Sequence, residues 1–203
     1  MLILIAGVLV TLIPMQELAK ALAGGTQLIY RVAALDSPRD AFLNTATPFN
    51  NKKLDKWFEQ YAGVVRYQEE DGQILADVTE FFSEDVIDRS VYGNVTDRVP
   101  TVFTSLGFLG TIVGLMSGIT TLSFSSVSAA ITSAQVLLNG IGTAFYTSLN
   151  GLILAIAFDL IYSLIEEMND RELEIFIHEF HNYIIPTPER QIQIVEKIGR
   201  AHV

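Results

Sequence analysis

Sixty consecutive residues, from Val99 to Phe158, contain no Asp, Glu, Lys, Arg or His. A helix or strand that faces water does not run so far without charge, whereas bilayer-spanning segments require this composition. Of the 203 residues in the chain, 50% are hydrophobic and only 18% are charged, against about a quarter charged in soluble domains. The sequence therefore predicts an integral membrane protein.

The uncharged segments predict three transmembrane helices in an all-α fold. The first comprises residues 1–23, and we expect it to be trimmed at its N-terminus or shielded by other protein, because its apolar part is short for a hydrocarbon layer of about 30 Å. The second comprises residues 99–122 and the third residues 129–165. At about 1.5 Å per residue the third helix is longer than a bilayer, so we expect it to project beyond the membrane.

The basic residues predict the topology. Nine of the thirteen Lys and Arg lie between Lys20 and Arg98, and the other four lie between Arg171 and Arg200. None lies in the link around Ser123–Ser128. Because short basic stretches stay in the cytoplasm, we predict a multi-pass protein with its N-terminus outside and its C-terminus in the cytoplasm.

Two cytoplasmic parts follow from this topology, a helical loop over residues 24–98 and an amphipathic tail over residues 166–203. In both, apolar residues recur at helical spacing. In the loop they are Leu54, Trp57, Phe58, Tyr61 and Val64, continued by Ile74, Val78 and Phe81 or Phe82; in the tail they are Leu173, Phe176, Ile177 and Phe180. Pro186 and Pro188 interrupt the tail, and another short helix follows. We expect helical pieces packed under the membrane rather than a separate catalytic domain.

Several kinds of chemistry are absent from the sequence. There is no cysteine and no nucleotide-binding, serine-hydrolase or zinc-protease motif. The net charge of −10 argues against nucleic-acid binding. His178 and His181 are three residues apart near Glu174 and Glu179, but a solvated helix face explains them better than a metal site. We predict no enzyme, no metal site and no cofactor.

Small residues form one stripe on each of the second and third spans. At about 100° per residue, each stripe stays within an arc of about 80°. Small residues let membrane helices approach closely, often between subunits, so we predict helix packing along these stripes. The glycines concerned are Gly107, Gly110, Gly114 and Gly118 on the second span and Gly140 and Gly151 on the third.

Hydroxyl groups lie beside these stripes. Thr104 and Thr111 flank the glycines of the second span, while the middle of the third holds Thr143, Thr147, Ser148 and Asn150. A single membrane threonine usually bonds the carbonyl one turn back, but a cluster on two adjacent helices predicts a polar lining along a helix interface or pore. Because Asp159 lies near the cytoplasmic end of its span, a carboxylate that carries ions must come from another chain.

Two sequence runs resemble a known family. The run P-T-V-F-T-S-L-G-F-L-G-T-I-V-G-L-M from Pro100 resembles the second span of the MotA/TolQ/ExbB proton channel family. The run G-T-A-F-Y-T-S-L-N-G from Gly142 resembles its last span. Their details are most similar to the branch of that family that acts in Zorya anti-phage defence. The resemblance implies a bacterial inner-membrane protein.

The resemblance also implies a function. By this resemblance the chain would form a stator-like homopentamer around a pair of helices from a MotB/ExbD/TolR-like single-span partner, and that partner would supply the membrane Asp. The flow of H+ or Na+ past that Asp would drive rotation. Thr111 and Ser148 match the family's path threonines, with Thr147 and Thr143 beside them, and Pro100 matches a proline linked to gating. Thr143 stands where ExbB-like members carry a glutamate, so no carboxylate from this subunit is expected.

Two other interpretations remain open. One is a TolQ/ExbB-type energiser of envelope processes, which the missing glutamate disfavours. The other is a membrane scaffold whose small-residue stripes only hold an oligomer together, without ion transport. A flagellar stator is disfavoured because MotA-type proteins have four spans. A neighbouring gene for a single-span protein with a membrane Asp would separate the motor from the scaffold.

Overall fold

The computed structural model describes residues 2–83, 87, 96–123 and 125–201, and within these ranges it describes side chains from Leu12 to Lys197. This part of the chain is helical, which confirms the predicted all-α class. The helices are α1 (Leu2–Val32), α2 (Pro38–Leu43), α3 (Lys52–Glu70), α4 (Val99–Thr120), α5 (Val127–Tyr183) and α6 (Pro188–Ala201), with a short 3₁₀ turn at Val78–Glu80.

The chain divides into two compact units. The first contains residues 1–8 and 93–164, and the second contains residues 9–92 and 165–203. Helix α5 contributes to both, since its residues up to Leu164 belong to the first unit and those from Ile165 to the second.

The first unit is a helical hairpin of α4 and the first two thirds of α5. Helix α4 carries Pro100 in its first turn, where the missing N–H costs no intrahelical hydrogen bond. Ser133 closes the turn between the helices, because its hydroxyl oxygen accepts from the N–H of Ser123 at 2.9 Å. Both α4 and the helical stretch that begins at Val127 are long and apolar enough to cross a membrane, in agreement with the second and third predicted spans.

The side chains of residues 1–11 of the first predicted span lie outside the described part of the chain. The backbone is helical from Leu2, but α1 continues past the predicted boundary at residue 23 to Val32. From Met15 onward α1 packs into the second unit, and Met15, Leu22 and Ile29 are fully buried. At Gly25 the helix packs closely against Phe49. A Cβ built on Gly25 would lie 2.5 Å from the ring of Phe49, so this position requires glycine.

The second unit has an aromatic core to which the loop and the tail both contribute. The rings of Phe49 and Phe176 are 5.1 Å apart, and those of Phe42 and Phe180 are 5.7 Å apart. Leu173, Phe176 and Phe180 are buried as the tail pattern predicts, while Ile177 is half-buried. Apolar burial of this kind stabilises each short helix that contributes a face to it.

The loop departs from its predicted pattern at two positions. Leu54, Phe58 and Tyr61 are buried, but the inward face of α3 continues through Val65, and Val64 is 37% exposed. A step of four residues keeps Val65 on the face of Tyr61, whereas Val64 is rotated away from it. Ile74 is exposed and precedes the 3₁₀ turn instead of extending a helix.

A non-helical strip beside this core is held by side chains. The tyrosine hydroxyl of Tyr61 donates to the carbonyl of Ala76 at 3.2 Å. The side chain of Gln191 on α6 accepts from the N–H of Leu75 at 2.9 Å and donates to the Leu75 carbonyl at 3.2 Å. The same amide reaches the carbonyl of Pro186 at 2.8 Å, where the chain breaks between α5 and α6 as predicted.

Candidate functional site

Helices α4 and α5 touch backbone to backbone along their glycines. A Cβ built on Gly114 would lie 2.9 Å from the carbonyl oxygen of Gly140, and one built on Gly140 would lie 2.7 Å from the carbonyl oxygen of Gly114. A Cβ on Gly151 would lie 2.7 Å from the carbonyl oxygen of Phe103. Carbon atoms are not tolerated at such distances, so only glycine permits this approach.

The same contacts fix the register of the two antiparallel helices. Gly107 lies opposite Gly151, and Gly118 lies opposite Leu137. Gly110 faces the side chain of Thr147, whose Oγ1 would be 2.7 Å from a Cβ built on that glycine. All six glycines that the sequence singles out therefore lie on the contact between α4 and α5 within one chain.

Thr111 links the two helices. Its hydroxyl lies 3.2 Å from the carbonyl of Gly107 on its own helix and 3.2 Å from the carbonyl of Ala144 on α5. The one hydroxyl proton can serve either acceptor. Thr147 donates to the same Ala144 carbonyl at 2.9 Å, so one main-chain oxygen accepts from both threonines.

The hydroxyls that the sequence groups together lie on two opposite flanks of the hairpin. On α5, Thr147 and Thr143 are about 60° and 100° to one side of Ala144, and Ser148 is about 40° to the other. On α4, Thr111 is about 60° from Gly114 and Gly110 is about 40° in the opposite direction. Because the two helices are antiparallel, residues that are rotated away from the contact in the same sense, each followed along its own chain, lie on the same side of the hairpin. The contact between Gly110 and Thr147 is an example.

We call these surfaces the Thr111 flank, with Thr104, Thr111 and Ser148, and the Thr143 flank, with Asn139, Thr143, Thr147 and Asn150. The four residues predicted to line one path are thus divided in pairs. The structure brings Thr111 and Ser148 to one side of the hairpin and Thr143 and Thr147 to the other.

Most of the predicted polar residues are exposed on the hairpin. Thr143, Ser148 and Asn150 are exposed, as is Asn139, which the sequence reasoning missed. The signal that marks Asn139 is its spacing, since it precedes Thr143 by one helical turn and its carbonyl accepts the Thr143 hydroxyl at 3.0 Å. Among the described residues, the side-chain amides of Asn139 and Asn150 have no hydrogen-bond partner. A side-chain amide in hydrocarbon needs one.

Pro100 lies at the end of the hairpin away from the turn. Its carbonyl accepts the Thr104 hydroxyl at 3.0 Å. Aromatic side chains pack at this end, where the rings of Phe103 and Phe158 are 6.2 Å apart. The hydroxyl of Tyr162 donates to the Asp97 carboxylate at 3.3 Å. The gating role of Pro100 stays a prediction.

The two histidines of the tail have different surroundings. The side chain of His178 is 71% exposed, as a solvated helix face predicts. That of His181 is only 16% exposed, and its Nε2 lies 3.0 Å from the Asp77 carboxylate, so the prediction of a surface pair is wrong for His181. Among the described residues, no group of three or more His, Cys, Asp or Glu could hold a metal ion.

The electrostatics around Asp77 are set by its hydrogen bonds. Burial raises the pKa of this carboxyl, but the N–H and hydroxyl of Thr79 donate to it and the charge of His181 stabilises its anion, so that its pKa lies below the usual value. Burial raises the pKa of the nearby Tyr61 phenol, with the charges of Asp77 and Glu80 adding to the effect.

Comparison with known proteins places the hairpin in a family context. The sequence profile of the MotA/TolQ/ExbB proton channel family matches residues 68–177, which is just over half of the chain and includes the hairpin. The chain is also 35% identical, over 71 residues, to the Zorya protein ZorA of Escherichia coli (strain Crooks). That stretch is 35% of this chain but only 12% of the ZorA protein.

Proposed function

Because this chain belongs to the MotA/TolQ/ExbB proton channel family, we propose that it is the ion-path subunit of an ion-driven rotary motor in the bacterial inner membrane. In this function it forms a stator-like homopentamer around two helices of a single-span partner. The family is one of ion channels and energisers rather than enzymes, and the chain acts on ions through hydrogen bonds and electrostatics.

The observation that carries the proposal is the presence of exposed polar side chains on a closely packed membrane hairpin. Its two helices are in backbone contact at Gly114 and Gly140, yet hydroxyls and amides remain exposed at the same depth. From Val99 to Phe158 this chain has no Asp, Glu, Lys, Arg or His, so this stretch can solvate an ion but has no carboxylate to hold one by charge. A partner carboxylate would supply the charge that the hairpin lacks.

Ion flow supplies enough free energy for such a motor in several steps. One elementary charge that crosses about 100 mV yields about 2.3 kcal/mol, so a sizeable mechanical step needs several transfers. Ser148 and Thr111 would solvate the cation while the partner's carboxylate changes from charged to neutral. The transported ion is H+ or Na+, and the hydroxyl groups of the hairpin are compatible with both.

The similarity to ZorA supports a specific setting, the motor of Zorya anti-phage defence, with a ZorB-like single-span protein as the partner. The match covers only 12% of the length of ZorA, so this setting rests on a stretch of 71 residues. A TolQ/ExbB-type energiser is the alternative within the family, and Thr143 in place of its glutamate disfavours it.

Native mass and particle symmetry test the proposal. The full chain is co-expressed with its genomic neighbour, extracted gently and examined by native mass spectrometry and single-particle imaging. Five copies of this chain around two copies of a partner with a membrane Asp would support the motor. A particle of this chain alone, with an even or variable copy number, would favour a membrane scaffold and overturn the motor.

A further inference from the structure

Polar side chains occupy different depths on the two flanks of the hairpin. On the Thr143 flank they lie in the half that ends at the α4–α5 turn and extend only as far as Asn150. At about 100° per residue, this flank carries Ser117 and Thr120 on α4 and Thr132, Asn139, Thr143, Thr147 and Asn150 on α5. Toward the Val99 end the same flank is apolar, with Val102, Leu106, Leu154 and Ile161.

The Thr111 flank has the opposite arrangement. Its polar residues begin near the middle with Thr111 and Ser148 and continue to Thr104 at the Val99 end. Asp159, the first charged residue beyond the uncharged stretch, is exposed on the same flank. Toward the turn this flank is apolar, with Leu115, Leu122, Ala134 and Ile141. Neither flank is therefore polar across the whole thickness of the hairpin.

A cavity lies at the turn end of the hairpin. It opens broadly to the surface and has a volume of about 380 Å³, and five of its seven lining residues carry a hydroxyl group: Thr121, Ser123, Ser128, Thr132 and Ser133, beside Ala129 and Val136. Thr132 belongs both to this cavity and to the Thr143 flank. The cavity has room for several water molecules and borders the polar half of that flank at Thr132.

The amides of Asn139 and Asn150 limit what can cover the Thr143 flank. An amide without a partner costs several kcal/mol in hydrocarbon, so this flank does not face lipid. The hydroxyl-lined cavity at its end indicates that water reaches it from the turn. The basic residues of the chain predict that the turn lies outside the cell.

From these observations we propose that the hairpin carries two offset half-paths for the ion, and this inference rests on the proposed motor function. The outer half-path enters at the cavity and follows the Thr143 flank to Asn150. The inner half-path starts at Thr111 and Ser148 and follows the Thr111 flank to Asp159. An ion cannot cross along one flank, so it must be carried sideways from one to the other.

The sideways step explains why ion flow would be coupled to rotation. A cation that arrives by the outer half-path binds the partner's membrane carboxylate and neutralises it. The neutral carboxyl can pass the apolar hairpin surface, which a charged one cannot do cheaply. At the inner half-path the same carboxyl releases its cation and is charged again, so each ion requires one relative movement of the ring and the partner.

Cysteine accessibility tests this inference directly, because the chain has no cysteine of its own. Single variants of the full chain, assembled with its partner, are treated with a membrane-impermeant cationic thiol reagent in right-side-out and in inverted vesicles. We expect Asn139→Cys and Thr143→Cys to react from the outside only. We expect Ser148→Cys and Thr104→Cys to react from the inside only.

Matched controls lie on the same helix at nearly the same depth. Leu138→Cys and Ile141→Cys are on the apolar half of the Thr111 flank and should react at least about tenfold more slowly than Asn139→Cys, since the thiolate that attacks the reagent forms only where water reaches the thiol. Ser125→Cys in the turn and Arg190→Cys on α6 calibrate full reaction from the outside and from the inside. Co-purification of the partner shows that each variant is assembled.

The outcomes separate the half-paths from the motor itself. Equal reaction of Asn139→Cys and Leu138→Cys, or reaction of all four path variants from both sides, would overturn the half-paths even if the assembly converts ion flow into activity. One-sided reaction at the stated positions supports the half-paths. If it occurs in an assembly without any ion-dependent activity, the motor proposal fails while the two offset aqueous half-paths stand.

Discussion

Thr111 and Thr147 both point their hydroxyl groups at the main-chain carbonyl of Ala144, at 3.2 and 2.9 Å, although they lie on opposite flanks of the hairpin. A carbonyl oxygen has two lone pairs and can accept both. Thr147 is also packed against Gly110, whereas Thr111 can turn its proton to Gly107 instead. The hydroxyl of Thr111 is thus the more adaptable of the two, which suits a group that solvates a passing ion.

Loss of the hydroxyls on the Thr111 flank should reduce function without preventing assembly. We expect the double variant Thr111→Ala, Ser148→Ala to lose most ion-driven activity, measured as phage protection by the complete system, while its partner still co-purifies. A membrane hydroxyl contributes only about 0.6 kcal/mol to packing on average, too little to unfold the protein. Ser105→Ala, at an exposed position on the face of α4 opposite its contact with α5, is the control. Undiminished protection by the double variant would refute the assignment of this flank.

The glycine contact should tolerate no side chain. In Gly140→Ala the new Cβ would lie 2.7 Å from the carbonyl oxygen of Gly114, and the helices would have to separate. Overpacking of this kind costs roughly 1–3 kcal/mol, so the thermal unfolding temperature of the detergent-purified chain should fall. Gly142→Ala is a matched control two residues away, because nothing lies within 4 Å of its Cβ. If both variants melt alike, the backbone contact is not what stabilises the hairpin.

The aromatic core should dominate the stability of the second unit. Phe176 is fully buried and touches the rings of Phe42, Phe49, Phe82 and Phe180. We expect Phe176→Ala to lower the free energy of unfolding by about 3–5 kcal/mol, measured by chemical denaturation. Tyr67→Ala on α3, where the side chain is 64% exposed, should change it by less than about 0.5 kcal/mol. Similar losses in both variants would contradict a shared core of loop and tail.

The Asp77–His181 pair should make the second unit sensitive to acid. The pKa of Asp77 is lower in the folded chain than its ordinary value, so its carboxylate stabilises the fold above the unfolded pKa, and this contribution is lost as the pH falls through the folded pKa. Asp77→Asn should therefore lower the unfolding temperature at pH 7 and flatten its decline between about pH 5 and 3. Asp36→Asn, at an exposed position, should leave the decline unchanged. A decline as steep in Asp77→Asn as in the wild type would rule the pair out as its source.

Much of this architecture can be read from local sequence. The charge-free run predicts the α4–α5 hairpin because lipid tolerates no unpaired charge, and the glycine spacing predicts the packing face because helical rotation is constant. The buried face of the tail, Leu173, Phe176 and Phe180, follows from the same periodicity. The family resemblance, carried by the runs from Pro100 and Gly142, agrees with the profile match over residues 68–177.

Other features depend on contacts that are distant in sequence. Helical spacing groups Val65 with Leu54, Phe58 and Tyr61, but the burial of that face depends on the core to which Phe49 and Phe176 contribute. His181 looks like a surface residue until the strip around Asp77 packs against it, 104 residues away along the chain. The need for glycine at position 25 likewise depends on Phe49, whose ring a built Cβ would approach to 2.5 Å.

The candidate ion path shows most clearly which features follow from local sequence and which depend on tertiary contacts. The sequence alone places hydroxyls and amides in the middle of the hairpin and no carboxylate from Val99 to Phe158. Which of them share a surface is set by the phase of α4 against α5, and that phase is fixed by the contacts of Gly110 with Thr147 and of Gly114 with Gly140. A rotation of one helix by a single residue, about 100°, would change which polar side chains of α4 share a flank with those of α5. Only the packed hairpin puts Thr111 with Ser148 and leaves Thr143 and Thr147 on the other flank.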